Sequence, residues 1–166
     1  MATSPKTSAL DDARITQFGL FVEAGRRLSR IMETSIREQH GITGIQFEAM
    51  LRVGRSPEHR MSMSQLAEQM VLTSGGVTRL IDRLAAAGLV VRVSCPEDRR
   101  VQWTQLTDAG SEKLVAVVET HLDDLDRHFL SAMSPDELET LIPVLDRLRT
   151  HCTESHAGVA GAETPT

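Results

Sequence analysis

The sequence predicts a mainly helical protein that carries one small β-hairpin, a fold of the α+β kind. Hydrophobic residues make up 40% of the 166 residues, yet there are only one Trp, four Phe and no Tyr, so the core must be aliphatic. Apolar residues recur every three or four positions through six stretches, as they do on one face of a helix. Only residues 89–94 and 101–106 have strand character. A chain of this length fits one domain, or one domain with a dimerisation appendage.

The helix boundaries follow from local signals. The first predicted helix spans 11–39 and ends before Gly41, a residue that commonly follows the last turn of a helix. Ser, Thr, Asp and Asn are favoured at the position before a helix, because their side chains accept a hydrogen bond from the first turn. The five later helices are each preceded by such a residue: Thr43, Ser62, Thr73, Thr107 and Ser134.

The two ends of the chain differ in composition from the rest. Residues 1–10 and 154–166 are rich in small and polar residues, and we expect both to be disordered tails around one domain spanning 11–153. The first residues lack the apolar run of a signal peptide, and no apolar stretch is long enough to span a bilayer. With two cysteines there is no disulfide framework, so we expect a cytoplasmic protein that does not contact membranes.

Charge is distributed unevenly along the chain. The formal net charge is −5, but the stretch from Arg55 to Trp103 contains seven arginines against five acidic residues. A segment with net positive charge between acidic flanks suits binding to a polyanion, provided that motifs in the same segment support it.

Those motifs are two short helices joined by a tight turn, followed by the hairpin, over about 43–106. This order is typical of a winged helix-turn-helix, whose second helix enters the major groove of double-stranded DNA. We expect the DNA contacts of that helix to come from its first turns: Ser74, Gly75, Gly76, Thr78 and Arg79. Small residues at a helix N-terminus let the backbone amides approach a phosphate.

The hairpin loop contains the second group of predicted DNA contacts, Asp98, Arg99 and Arg100. An arginine at the tip of a wing suits the negative potential of a narrow minor groove. Asp98 would repel phosphate, so we interpret it as the residue that orients a neighbouring arginine.

The last helix carries leucines at alternating steps of three and four: Leu138, Leu141, Leu145 and Leu148. This spacing forms a seam that packs against a partner helix, so the sequence predicts a dimer interface there.

The motifs from Met61 to Gly110 resemble the MarR (multiple antibiotic resistance regulator) family of bacterial regulators. The matching sequences are SQLAEQ (64–69), VTRLIDRL (77–84), GLV (88–90), PEDRR (96–100) and LTDAG (106–110). The resemblance implies a homodimer held by its first and last helical regions, about 11–39 and 108–153. It also implies a repressor that binds an inverted-repeat operator and is released by a small anionic aromatic ligand.

Part of this pattern is most similar to the urate-responsive branch of the family. That resemblance implies an effector site for an anionic aromatic or purine-like ligand at Glu48, Arg83 and Arg92. The branch also uses a Trp in the N-terminal helix, where this chain has Phe18 and Phe21.

Other function classes receive less support. No nucleophile motif, phosphate-binding loop or cofactor motif is present, so we expect neither an enzyme nor a bound cofactor. His121, Asp124 and His128 share one helix face, and we interpret them as a solvated surface rather than a metal site. Two alternatives stay open: an oxidant sensor that uses Cys95, whose thiol lies near several arginines, and a winged helix used only for protein contacts.

Overall fold

The computed structural model describes residues 9–94 and 101–160, with side chains as far as Glu154. The helices are α1 (Ala13–His40), α2 (Gly44–Arg55), α3 (Met63–Gln69), α4 (Ser74–Ala86), α5 (Asp108–His128) and α6 (Pro135–Ala160). The strands are β1 (Arg60–Ser62), β2 (Val90–Ser94) and β3 (Gln102–Leu106), and short 3-10 turns lie at Pro57–His59 and Leu130–Ala132. The predicted fold class, mainly helical with a small sheet, is confirmed.

The helices begin where the capping residues predict. Thr43 and Ser62 each form a reciprocal capping box, with Gln46 and Gln65 respectively. The hydroxyl oxygen of Thr73 accepts a hydrogen bond from the backbone N–H of Gly76 at 3.1 Å and so caps α4. Each of these contacts satisfies a donor that the first turn of a helix would otherwise leave without a partner.

The sheet has one strand more than the sequence predicts. The expected hairpin is present as β2 and β3, but β1 pairs with the other side of β3, and the strand order is β1-β3-β2 with both pairings antiparallel. The register places Met61 opposite Thr104. Strand β1 has only three residues, too few for an alternating pattern to show in the sequence.

By contact, the chain forms two compact units that divide after Asp124, inside α5, where the sequence predicts a single domain. The first unit has an aliphatic core that draws on α1 to α5 and on the sheet. Its fully buried side chains include Ile36, Met50, Val53, Leu66, Val77, Leu80, Ile81, Leu84 and Val117. Four of these belong to α4, so the core fixes the orientation of that helix.

The second unit contains the end of α5 and all of α6. Helix α6 continues to Ala160, so the tail expected from residue 154 is wrong for 154–160. Residues 154–160 include two alanines and no proline, and they can extend the helix that precedes them. The expected tails at 1–8 and 161–166 lie outside the described residues.

Several helices present large apolar side chains to solvent in the single chain, among them α1, α6 and, through Val115 and Leu122, α5. On α1 the exposed ones are Ile15, Phe18, Leu20, Phe21 and Ile31, and on α6 they are Ile142, Val144 and Leu148. Within the described residues, none of the helices combines the length and the hydropathy that crossing a membrane requires.

Candidate nucleic-acid interface

Helices α3 and α4 form the predicted helix-turn-helix, and α4 divides into two faces. Its buried face consists of Val77, Leu80, Ile81 and Leu84. Its opposite face is exposed and carries Ser74, Gly75, Thr78, Arg79, Asp82 and Arg83. Because the buried face holds the helix in place, the polar face is presented to solvent in a fixed orientation.

The two glycines at the start of α4 differ in what surrounds them. A Cβ atom on Gly76 would lie 3.2 Å from the capping oxygen of Thr73, so the lack of a side chain there serves the cap. A Cβ atom on Gly75 would meet only a guanidinium nitrogen of Arg79, at 3.9 Å. The Arg79 side chain therefore extends back toward the helix N-terminus, and Gly75 leaves the surface beside it open.

A tether joins the wing to α4. The Arg92 guanidinium on β2 lies 2.7 Å from the Asp82 carboxylate and also donates a hydrogen bond to the backbone oxygen of Thr78 at 3.3 Å. The Thr78 hydroxyl donates to the backbone oxygen of Ser74 at 2.8 Å. Because Arg92 contacts the polar face of α4, it fixes the base of the wing relative to that face.

The DNA contacts expected at the tip of the wing stay predictions. Asp98, Arg99, Arg100 and Cys95 lie outside the described residues. The described base of the wing contains Trp103, over whose ring the Arg60 guanidinium lies at 5.1 Å from the centroid. Such a contact between a cation and an aromatic face is attractive and links β1 to β3.

Helix α5 begins in close contact with the end of α4. The Thr107 hydroxyl donates to the backbone oxygen of Gly88 at 2.7 Å, and the Thr107 backbone N–H donates to the backbone oxygen of Leu89 at 3.1 Å. A Cβ atom on Gly110 would lie only 1.9 Å from that same Leu89 oxygen. Gly110 therefore allows α5 to lie against the backbone that connects α4 to the wing.

The three predicted effector residues lie on three different elements, α2, α4 and β2. Glu48 forms an ion pair at 2.6 Å with Arg52 on its own helix and borders a groove between α2 and α3. Arg92 borders a different groove, between α3, α4 and the sheet, and Arg83 is exposed near the end of α4 and lines neither. Two of the three residues therefore take part in local ion pairs, and their grouping into one effector site stays a prediction.

The interpretation of His121, Asp124 and His128 as a solvated surface is wrong for the first two residues, whereas His128 is exposed as expected. Asp124 is only 6% exposed, and the His121 ring packs edge-on against Phe47 at 5.0 Å between centroids. Burial lowers the pKa of His121, while the nearby Asp124 charge acts in the opposite direction. The described residues contain no group of three or more potential ligands arranged for a metal ion.

The leucine seam lies on one helix, as the spacing predicts. Leu138, Leu141 and Leu145 are half-buried in the single chain, and Leu148 is 43% exposed. None of the residues of α6 whose side chains are described is fully buried. The seam therefore retains apolar surface that a partner could cover.

The helix-turn-helix, its polar outer face and the antiparallel hairpin define a winged-helix DNA-binding protein. The sequence model of the MarR family matches residues 40–101. The HTH-type transcriptional regulator YkoM of Bacillus subtilis is 34% identical over 129 residues, which cover 76% of this chain and 81% of that protein. The chain belongs to the MarR family of transcriptional regulators.

Solved structures give the same result. AbsC, a MarR family transcriptional regulator from Streptomyces coelicolor, superposes with a TM-score of 0.79 at 28% identity, over 85% of this chain and 95% of AbsC. Sco3205 from the same organism, solved in complex with DNA, superposes with a TM-score of 0.77 at 20% identity, over 91% of this chain and 94% of Sco3205. At that identity the second likeness establishes the fold alone.

Three residues of the site were missed from the sequence. Asp82 positions Arg92, Gly110 admits α5, and Val71 occupies the turn between the two helices of the motif with a positive φ of 52°. The sequence did contain a signal for Gly110, which follows Leu-Thr-Asp-Ala. A glycine inside a helix is costly unless a close approach of two backbones requires it. The other two had no signal, since their roles depend on tertiary contacts and on backbone conformation.

Proposed function

We propose that this protein binds double-stranded DNA as a homodimer, placing α4 of each subunit in the major groove of an inverted-repeat operator. The proposal rests on how the first part of α4 is exposed and anchored. There, Ser74, Gly75 and Arg79 are exposed on one side, while the opposite side is anchored in the core. A rigid helix that presents small residues and an arginine suits close approach to phosphates and readout of base edges.

The dimer is supported by the apolar faces that one chain leaves uncovered. Phe18 and Phe21 on α1 are 67% and 52% exposed, and Leu148 on α6 is 43% exposed. Large apolar side chains exposed on helices that lack the length and hydropathy to cross a membrane, as in the described part of this chain, mark an interaction site. A two-fold dimer places two recognition helices on one side of the duplex, so the half-sites would lie about 10 base pairs apart.

The test starts from DNA that the wild-type protein selects from a random duplex pool, a procedure that finds the operator whatever its sequence. Binding to the selected duplex is then measured by fluorescence anisotropy over a range of salt concentrations. We expect Arg79→Ala to weaken binding by about 1–3 kcal/mol and to relax the preference for the selected sequence. Arg149→Ala, on α6, is the matched control and should leave both unchanged.

Two results would contradict the proposal. One is a pool in which no sequence is enriched over the starting DNA. The other is an Arg79→Ala variant that binds the selected duplex with wild-type affinity and sequence preference.

We further propose that the bound dimer represses transcription and that a small anionic aromatic ligand releases it. A dimer that covers two turns of a promoter excludes RNA polymerase from that duplex. The ligand proposal is supported by a groove of about 570 Å³ bordered by Ser62, Met63, Ser64, Thr78, Arg92, Val101 and Gln102. An anion there would compete with Asp82 for Arg92 and would alter the tether between the wing and α4.

A modest coupling is enough for such regulation. A tenfold loss of DNA affinity requires about 1.4 kcal/mol of difference in ligand binding between the free and DNA-bound protein. Titration of salicylate and urate against the protein–DNA complex measures that coupling directly.

Two variants test the role of Arg92 in release. Both substitutions break the tether, so each should weaken DNA binding before any ligand is added. Arg92→Ala should show no further weakening when ligand is added, whereas Asp82→Asn should bind the ligand more tightly, because Arg92 then has no competing carboxylate. Failure of both ligands to release DNA from wild type and from Asp82→Asn would contradict the ligand proposal. Transcription in vitro from a promoter that carries the selected site tests repression, which predicts fewer transcripts when the protein is added.

A further inference from the structure

The turn between α3 and α4 contains an apolar residue in an unfavourable conformation. Val71 has a positive φ of 52°, and its side chain is 85% exposed, more than any other large apolar side chain among the described residues. A β-branched residue with positive φ is a true outlier, because its Cβ substituents clash with the neighbouring backbone.

The hydrogen bonds show why the chain adopts this conformation. The Val71 N–H donates to the backbone oxygen of Glu68 at 3.1 Å, and the Leu72 N–H donates to that of Ala67 at 2.9 Å. This pair of bonds is the Schellman motif, which ends a helix with one left-handed residue, usually glycine. The motif therefore needs the conformation of Val71 but does not need a valine.

Two other helices of this chain are followed by a glycine at the position that Val71 occupies after α3. Helix α4 ends in the same motif with Gly88, whose φ is 70°, and α1 ends with Gly41, whose φ is 69°. Neither glycine would meet another atom within 4 Å if it had a Cβ, so glycine is present there for its backbone freedom alone. The valine at position 71 consequently carries a conformational cost that the other two helix ends avoid, while its side chain gains little burial in the free protein.

The position of Val71 indicates what the side chain contacts. It lies two residues before Thr73, the cap of α4, so its Cα is at most about 7 Å from the cap. DNA bound by the first turn of α4 would therefore lie close to Val71. We propose that Val71 is a DNA-contacting residue that packs its methyl groups against the sugar or thymine methyl surface beside the recognition helix; this rests on the proposed DNA binding by α4.

The test compares three substitutions on the selected duplex. Val71→Ala removes the two methyl groups and keeps a side chain at the positive φ, while Val71→Gly and Val71→Asn also relieve the backbone. We expect each variant to lose about tenfold in DNA affinity, the factor that burial of two methyl-sized groups supplies. The slope of affinity against salt should stay unchanged, because valine neutralises no phosphate.

A control separates the contact from general effects. Val115→Ala removes an exposed valine from α5, at 60% exposure, and should bind DNA as wild type does. Meanwhile the thermal midpoint of Val71→Gly should rise, so that this variant gains stability while it loses affinity.

Wild-type affinity in Val71→Ala and Val71→Gly would overturn the contact and leave the proposed function standing. A reduced salt slope in all three variants would also overturn it, because the substitutions would then have displaced phosphate contacts of α4. A wild-type protein that binds no duplex would overturn the proposed function together with the contact.

Discussion

Gly110 offers a quantitative test of how α5 is joined to the DNA-binding lobe. Its missing side chain matters because a Cβ atom there would lie 1.9 Å from the backbone oxygen of Leu89 and 2.8 Å from the Leu89 carbonyl carbon. An ordinary contact between these atom types needs more than 3 Å, so Gly110→Ala must move α5 or the Leu89 backbone by about 1 Å. Both partners are backbone, and no flexible side chain can move aside to relieve the overlap.

Two opposing effects set the size of the change. Replacing glycine by alanine inside a helix contributes about 1 kcal/mol of stability through propensity. Against this, forced displacement in a packed region costs about 1–3 kcal/mol, and the Thr107 N–H bond to the Leu89 oxygen, worth about 1 kcal/mol, is strained or lost. We therefore expect Gly110→Ala to lower the free energy of unfolding by about 1–3 kcal/mol.

Urea denaturation followed by circular dichroism measures this change. All variants are compared at one protein concentration, because the stability of a dimer depends on protein concentration. Gly44→Ala on α2 is the matched control: its Cβ would meet only the Glu33 side chain, at an ordinary contact distance of 3.6 Å, so it should be neutral or slightly stabilising. If Gly110→Ala proves as stable as wild type or more so, the close approach of α5 to Leu89 is wrong.

Two further predictions concern acid sensitivity and the dimer. Burial lowers the pKa of His121 below 6.5, so the unfolded chain binds this proton more readily, and stability decreases as the pH falls from 6.5 through the folded pKa. The His121→Phe variant keeps a ring against Phe47 and should lose less unfolding free energy than wild type between about pH 7.5 and 5.5, as measured by urea titrations. An equal loss in both proteins would exclude His121 as the cause of the acid sensitivity. Leu145→Glu should dissociate the proposed dimer, because an unpaired charge buried in an interface costs about 3–5 kcal/mol. Sedimentation equilibrium with Leu145→Met as control measures this, and an intact Leu145→Glu dimer would show that the seam lies elsewhere.

Much of the fold was predictable because local signals and periodicity agree. Thr43, Ser62 and Thr73 are capping residues placed directly before amphipathic stretches, and each begins its helix as expected. The exposed face of α4 could also be predicted, because the buried positions of a helix determine the exposed ones.

The elements that were missed depend on contacts distant in sequence. Strand β1 forms because three residues pair with β3, which lies some forty positions later in the chain. No local sequence pattern predicts that pairing. The ion pair between Arg92 and Asp82 joins β2 to α4, and Asp124 is buried although its neighbours in sequence are acidic. Side-chain partners and burial of single polar residues follow from tertiary packing, which periodicity does not encode.

The most direct test of the central claim is a hydroxyl-radical and methylation-interference footprint of the dimer on its selected duplex. We expect two protected segments, related by two-fold symmetry and centred about 10 base pairs apart, with interference at guanine N7 atoms in the major groove of each half-site. Protection of a single half-site, or binding that methylation of the major groove does not affect, would contradict recognition by a pair of α4 helices.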